Sequence, residues 1–374
     1  WLFHRLQFIQ HCSKYSEDFV PTDIVMQEYI GAIHIHSKYS DGSGRIEEIM
    51  AAANESMLDF VILTDHNTLR AKDEGQEKWH NKTFLLVGCE INDKHNLNHY
   101  LALGINKALS TRQEAVSYVK KVKDDGGIGF IAHPHEKRNL MPEHPPYPWT
   151  AWDSQDFTGI EIWNHMSEWM EGLTEENKYN HFVHPLKSIS SPPEETLNVW
   201  DDLNISRKVT AIGGIDAHAH KVNLMGFIEI EVFPYKVLFK SIRTHILTDK
   251  KFNFSDGIEA SAETKNIILE CLKEGRSFVA NDYIAESKGF RFFCKSGNKR
   301  YNCGDTVKLG SNCLLKVILP KTDGRIVLVR NGKRIDETEN IEADFIIKSE
   351  GIFRVEVFKN KKAWIFSNHI RIVN

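Results

Sequence analysis

Between residue 28 and about residue 285, short apolar runs alternate with longer stretches in which apolar positions recur every three or four residues. The runs YIGAIHIH, LDFVILTD, TFLLVGCE, NHYLALG, IGFIAHP, TGIEIWN and VTAIGGID have the length and composition of buried strands. RIEEIMAAANESM and RQEAVSYVKKVKDD, which lie between them, carry the spacing of amphipathic helices. Strand followed by helix, repeated, predicts parallel pairing with right-handed crossovers. NHYLALG follows TFLLVGCE after only a short link, which suits an antiparallel pair. Seven such strands predict a closed or nearly closed α/β barrel, with the helix ETKNIILECLKEG packed before a last strand, RSFVAND.

From about residue 288 the pattern changes to period two, in GFRFFCKSGNKRYNCGDTV, LLKVILP, GRIVLVRNGKRI and the final stretch to Val373. VRNGKR carries the Asn-Gly pair of a tight hairpin, and FKNKKAW reads as a second hairpin turn. This segment predicts a small antiparallel β-sandwich. The expected organisation is an N-terminal extension over residues 1–27, a barrel domain over 28–287 and a β-sandwich domain over 288–374. Two irregular segments interrupt the barrel pattern, MPEHPPYPWTAWDSQDF and KYNHFVHPLKSISSPPEE, and the first reads as a functional loop.

Composition narrows the partners. A net charge of -4 with no Lys/Arg run gives no footprint for polymeric nucleic acid. No apolar run approaches the roughly 20 residues of a membrane span, and the short apolar start of the chain is not a typical secretory segment. The 6 cysteines show no CxxC spacing, so neither a zinc ribbon nor a thioredoxin-type site is expected. Reduced thiols and a cytoplasmic setting are the expectation.

The polar residues fall at the ends of the predicted strands, where barrel enzymes keep their chemistry. His34 and His36 stand two apart on one strand, hence on one face, with Asp41 in the turn that follows. LTDHNT adds His66, with Asp65 either structural or bracing a ligand histidine. GCE adds Glu90, and HNLNHY offers His99, which opens a strand, ahead of His95 in the loop. AHPH adds His133, with His135 open as a ligand, a substrate contact or an exposed residue. GGIDAHAH adds Asp216 and His218, with His220 a weaker extra; Glu161 and Asn164 end a further strand. Six histidines and three carboxylates without a thiolate suit Zn, Mn or Fe rather than a structural zinc site. Nine donors exceed one tetrahedral ion, so two or three divalent ions sharing carboxylates are expected.

HIHSKYSDG, TDHNT, GCE, AHPH and GGIDAHAH, in that order, resemble the motifs of the PHP family, the polymerase and histidinol phosphatase domains. The resemblance implies a distorted (β/α)7 TIM-like barrel with a trinuclear centre at its strand ends. It implies one ion on His34, His36, Glu90 and Asp216, a second on Asp41, His66 and His218, and a third on Glu90, His99 and His133. LVRNGKRI and AWIFSNHIRI resemble the β-domain of the carbaryl-hydrolase-like branch, with His369 where that branch has proline. His369 stands isolated in this segment and is expected to ligate nothing.

The function these features imply is metal-dependent hydrolysis, foremost of a small phosphorylated molecule, that is, a phosphoesterase. Lys38, Lys137 and Arg138 are candidate phosphate contacts, with His135 and Arg138 the expected catalytic residues outside the metal set. Hydrolysis of an amide, carbamate or ester on the same centre is the alternative, with Trp149, Trp152, Trp163 and Trp169 as walls of an apolar pocket. A non-catalytic binding module is the third reading. Oligomeric state is left open by the sequence.

Overall fold

The computed structural model describes residues 26–374 apart from residues 143, 225–227 and 256, so the expected N-terminal extension lies almost wholly outside the described residues. The chain lays down β1 (Gln27–Ile35), β2 (Phe60–Leu63), β3 (Trp79–His80) and β4 (Thr83–Val87). After Gly88 come β5 (Cys89–Ile91), β6 (Tyr100–Leu103), β7 (Ile128–Ile131), β8 (Gly159–Asn164) and β9 (Thr210–Gly214). The hairpin β10 (Lys221–Leu224) and β11 (Ile228–Glu231) precedes β12 (Ile242–Thr248) and β13 (Ser277–Asn281). Strands β2, β4 and β7 are buried along their whole length, as FVIL, TFLLV and IGFI require of strands covered on both faces. The helices Ile46–Glu55, Ala115–Asp124 and Ile258–Glu274 form where the apolar spacing places them, the first burying Ile46, Ile49, Met50 and Ala53.

The fold is mixed α/β, but the closed barrel ladder expected from the sequence is not found. The strands divide into an open 12-stranded sheet, containing the order β3-β4-β2-β1-β12-β13, and a separate 5-stranded sheet, β5 to β9 in sequence order. Two features interrupt the expected repetition. TFLLVGCE is not one strand but two, parted at Gly88 between the sheets. Pairing is antiparallel at β5–β6, β6–β7, β1–β12 and β12–β13, and parallel within β1-β2-β4 and β7-β8-β9, with isolated parallel bridges Ile35–Ala217 and His66–Glu90 between the two sheets. The expected antiparallel relation of NHYLALG to GCE is therefore present. The two sheets touch where their strands end: Ile215 N donates to Ile33 O (3.0 Å) and His36 N to Ala217 O (2.9 Å). On the other side, Glu90 N donates to Thr64 O (3.2 Å). These contacts gather the strand ends of both sheets at one place.

Beyond Phe290 the described structure is β. Arg330 pairs with Lys333 and Lys359 with Lys362, so both predicted hairpin turns are present; Asn331 and Gly332 take the positive φ such turns require. All pairs in this segment are antiparallel except Thr306–Lys308 beside Ile370–Val373, which is parallel. The segment does not stand apart from the preceding one. Lys362–Ser367 pairs antiparallel with β13, so one sheet runs through both.

A buried ionic cluster adds a second junction, because Arg354 donates to both carboxylate oxygens of Asp201 (2.8 Å each) from across the chain. His369 Nε2 lies 2.7 Å from Asp201 Oδ1, so His369 is not isolated as its sequence neighbourhood suggested; it completes this cluster. Among the described residues no helix is long and apolar enough to cross a membrane.

Candidate metal centre

The strand ends that converge are the ones that carry the predicted ligands. His34 and His36 both reach the centre, but not by simple alternation along a strand. The register of β1 against β2 slips between Ile33 and Ile35, and His34 takes φ 69°. A bulge of this kind re-aims a side chain at a sheet end. His36 lies one residue past β1, and its ring faces the same carboxylates as that of His34. Asp216 (φ 52°) and His133 (φ 26°) also adopt left-handed backbone just past β9 and β7. Such conformations cost of order 1–3 kcal/mol each and cluster at functional sites.

Glu90 is the hub. Its Oε2 lies 3.1 Å from His34 Nε2, 3.2 Å from His36 Nε2 and 3.4 Å from His66 Nδ1. Its Oε1 lies 2.8 Å from His99 Nδ1 and 3.4 Å from His133 Nε2. Asp216 Oδ1 is the second shared oxygen, 3.5 Å from His34 Nε2 and 3.3 Å from His36 Nε2. Asp41 Oδ2 stands 3.5 Å from His66 Nε2 and 3.4 Å from His218 Nε2.

Four overlapping groups result, each with donor atoms within 4.8 Å of one another: His36, Asp41, His66 and His218; His34, Glu90 and His133; His34, His36 and Asp216; and His66, Glu90 and His99. All nine predicted ligands take part. The grouping differs from that implied by resemblance: Glu90 is not in the group of His34, His36 and Asp216, His36 also joins Asp41, His66 and His218, and His99 and His133 share Glu90 Oε1 but belong to different groups. His95 is in none of the four.

Electrostatics follow from burying so many charges together. Burial alone drives the His34 imidazole toward neutrality, but Asp216, Glu161 and Glu90 outweigh it and hold its pKa well above the usual value. His36 is likewise opposed by burial, yet the facing carboxylates of Asp216 and Glu90 push it up to about 10. His133 rises to about 9 against its burial because Glu136 and Glu90 face it. His66 goes the other way, down to about 4, since burial dominates. Burial raises Glu90, but the surrounding imidazoles hold it well below the carboxylate range; Asp216 behaves alike. The centre is a set of anionic oxygens whose countercharge, without a cation, must come from protons on histidine.

Further residues support this set. Glu161 Oε1 lies 2.8 Å from His34 Nδ1, and its Oε2 accepts from His133 N (2.9 Å) and Asn164 Nδ2 (2.9 Å). Gly214 makes this possible, because a Cβ there would overlap Glu161 Oε1. Asp65 takes the structural alternative, accepting from Ser37 N (2.7 Å), Ser37 Oγ (2.7 Å) and Ser40 Oγ (2.6 Å) to brace the turn that carries Asp41. Asn164 ends β8 as its sequence position suggested, whereas Glu161 lies inside the strand and not at its end, and the partners of neither were readable from the sequence.

The remaining predicted residues lie beside the cluster. His135 Nδ1 is 2.9 Å from Thr196 Oγ1, and its ring stacks on Trp152. Arg138 donates to Glu136 Oε1 (2.5 Å) and to His144 O (2.9 Å). Lys137 pairs with Glu195 at 3.1 Å on the exposed surface, and the Lys38 ammonium stands 6.0 Å over the Tyr39 ring. Trp149, Trp163 and Trp169 are buried in the main core, and only Trp152 is partly open. The five cysteines described, Cys89, Cys271, Cys294, Cys303 and Cys313, are all free and buried.

Residues 32–149 match the family model of the PHP domain, and the chain carries a PHP domain there. An uncharacterized protein of Methanocaldococcus jannaschii is 30% identical over 120 residues, which are 28% of this chain and 66% of that protein. The chain thus spans about two thirds of the length of the curated relative it matches. Among solved structures, a two-domain protein of Bacteroides vulgatus, described as containing a "predicted PHP-like metal-dependent phosphoesterase", is similar at 16% identity and TM-score 0.43, over 94% of this chain and 97% of that one. An amidohydrolase from Chromobacterium violaceum, with bound sulfate and no metal, is similar at 14% identity and TM-score 0.30, over 50% of this chain and 87% of that one.

Proposed function

We propose that the chain is a metal-dependent hydrolase whose two or three divalent ions, Zn, Mn or Fe, are held by His34, His36, Asp41, His66, Glu90, His99, His133, Asp216 and His218. The observation that carries this reading is the set of buried ring nitrogens at the centre that have no hydrogen-bond partner: His34 Nε2, both nitrogens of His36 and His99 Nε2. Unpartnered buried polar atoms are costly. Of these, His34 Nε2 and both nitrogens of His36 face carboxylate oxygens, and all four belong to a donor set of imidazole and carboxylate, the chemistry of a divalent-ion site. The residues present therefore fit the ions that a PHP domain implies.

Ions of this class, when bound, supply Lewis acidity and a water acidic enough to ionise near neutral pH. The chain's own contribution is geometric and electrostatic. Glu90 belongs to two neighbouring groups, Asp216 Oδ1 is shared by His34 and His36, Glu161 fixes the His34 ring, and the Asp65 turn holds Asp41 at the exposed edge.

The substrate we infer is a small phosphate ester, supported by the PHP match, with His135 and Arg138 adjoining the metal set. In the same reading, the two sheets joined at their strand ends are the distorted (β/α)7 barrel over residues 28–287. Residues 288–374 are the accompanying β-sandwich domain, and free buried thiols suit a cytoplasmic setting.

The test is a panel of phosphomonoesters, phosphodiesters, carbamates and carboxylic esters assayed with Mn or Zn, on wild type and Arg138→Ala. Phosphate esters are expected to be the best substrates, with Arg138→Ala, compared at the same metal occupancy, lowering kcat/KM for them selectively. Faster cleavage of a neutral carbamate would contradict the phosphate reading and favour the amide, carbamate or ester alternative. Absence of all hydrolysis in metal-loaded protein would favour a binding module.

A further inference from the structure

We propose that Glu136 is a positioning residue of the metal centre: it orients His133 and ties that histidine to the segment following the AHPH motif. The inference rests on the metal reading above and deepens it.

His133 turns Nε2 toward Glu90, so Nδ1 points away from the centre. Nδ1 is buried and has no hydrogen-bond partner. A histidine that gives one nitrogen to a metal almost always donates the other N–H to a carboxylate, a carbonyl or water, which sets its tautomer and ring angle. The carboxylate facing Nδ1 is Glu136, whose Oε2 lies 3.8 Å away. That exceeds an ordinary hydrogen bond, of about 2.7–3.2 Å, by less than one ångström. A cavity of about 20 Å³, lined in part by His133, Glu136, Glu161, Asn164 and Ser167, adjoins this gap and has room for one water. A small turn of the ring or one bridging water completes the link.

Glu136 is well fixed for this task. It is buried, and its two oxygens are held from three directions. Oε1 accepts from Arg138 Nη2 (2.5 Å) and Ser167 Oγ (2.9 Å). Oε2, the oxygen facing His133, accepts from Tyr147 N (2.8 Å). The Tyr147 ring in turn stacks on His99, at 4.8 Å between centroids and 15° between planes. Arg138 thereby acquires a role through Glu136: its charge stabilises the buried carboxylate.

The test uses metal-free full-length protein titrated with Co²⁺, followed by its visible ligand-field spectrum, and with Zn²⁺ in competition with a chromophoric chelator. Glu136→Gln keeps volume and most hydrogen bonding while removing the charge. It is expected to weaken binding by about tenfold to a hundredfold, the usual cost of losing such a partner, and to shift the Co²⁺ spectrum. Glu136→Asp is expected to recover part of the loss, and Glu195→Gln, which touches only Lys137 and His135 on the surface, to change neither reading. Should Glu136→Gln fail to fold by circular dichroism, Ser167→Ala, which frees one anchor of Glu136, is expected to give a smaller loss of the same kind. Wild-type affinity and spectrum in folded Glu136→Gln, or in Ser167→Ala where that variant stands in, would overturn the inference while leaving the metal reading intact. Failure of wild type to bind Co²⁺ or Zn²⁺ would overturn both.

Discussion

Glu161 Oε1 lies 2.8 Å from Nδ1 of His34, and this contact decides that Nε2 is the nitrogen turned toward Glu90 and Asp216. A carboxylate behind a ligand imidazole raises its basicity and holds its angle. Glu161→Gln is therefore expected to weaken metal binding by about tenfold or more while leaving the fold intact. Competition against a chromophoric chelator measures it, and an unchanged affinity would reduce Glu161 to a packing residue. Gly214→Ala is expected to do similar damage, because its Cβ would occupy the space of the Glu161 carboxylate.

The proposed direct ligands should behave more severely. His34→Ala, His66→Ala and Asp216→Ala are each expected to abolish hydrolysis, as each removes a donor that two or more carboxylate or imidazole neighbours depend on. The apolar core, which none of the three residues belongs to, should keep the far-ultraviolet circular dichroism near wild type. Near-wild-type turnover in His34→Ala under limiting metal would remove His34 from the ligand set.

Metal uptake should release protons. Without a cation, His36 and His133 hold theirs up to about 10 and about 9, so an ion arriving at neutral pH must displace them. Apparent affinity is then expected to rise with pH across roughly 6 to 9. Calorimetric titration in buffers of different ionisation enthalpy counts the released protons, and a pH-independent affinity would contradict the electrostatics described. Linkage gives the matching sign for the metal-free protein. A raised histidine pKa contributes stability that is complete below the unfolded value, near 6.5, and is lost as pH rises through the folded value. The melting temperature of metal-free protein should accordingly fall toward pH 9–10, and metal should relieve the part due to these two histidines.

The Asp201 cluster makes a separate prediction about stability. Asp201→Ala would leave Arg354 with Glu356 alone and strip His369 Nε2 of its acceptor, all of them buried. Breaking a buried ion pair from one side costs about 3–5 kcal/mol, and the remaining Glu356 contact places this case toward the lower end. Urea denaturation gives the loss. Metal content should be unaffected, since no residue of this cluster belongs to the centre.

Most of the residues that meet at the centre were legible because their chemistry is written in short motifs, each a polar interruption at the end of an apolar run. HIH, DH, GCE, AHPH and DAH each name their residues without help from tertiary structure. What escaped depends on register and on long-range pairing. The face shared by His34 and His36 is produced by a bulge at His34, not by plain alternation, and nothing in YIGAIHIH marks the slip. The division of TFLLVGCE at Gly88 is hidden because both pieces are equally apolar. The pairing of β13 with Lys362–Ser367 joins segments about ninety residues apart, which periodicity alone cannot match. For the same reason His369 looked isolated, although Asp201 waits for it on the helix Glu194–Ser206.

The proposed role of the nine side chains gathered at the strand ends is to hold metal. The decisive measurement is elemental analysis of protein purified without chelator, from medium containing both zinc and manganese. The proposal gives two or three equivalents of transition metal per chain in wild type and a reduced complement in Glu90→Ala, because Glu90 touches five of the six histidines. No more than a trace of metal in wild type, or the same content in Glu90→Ala, would contradict it.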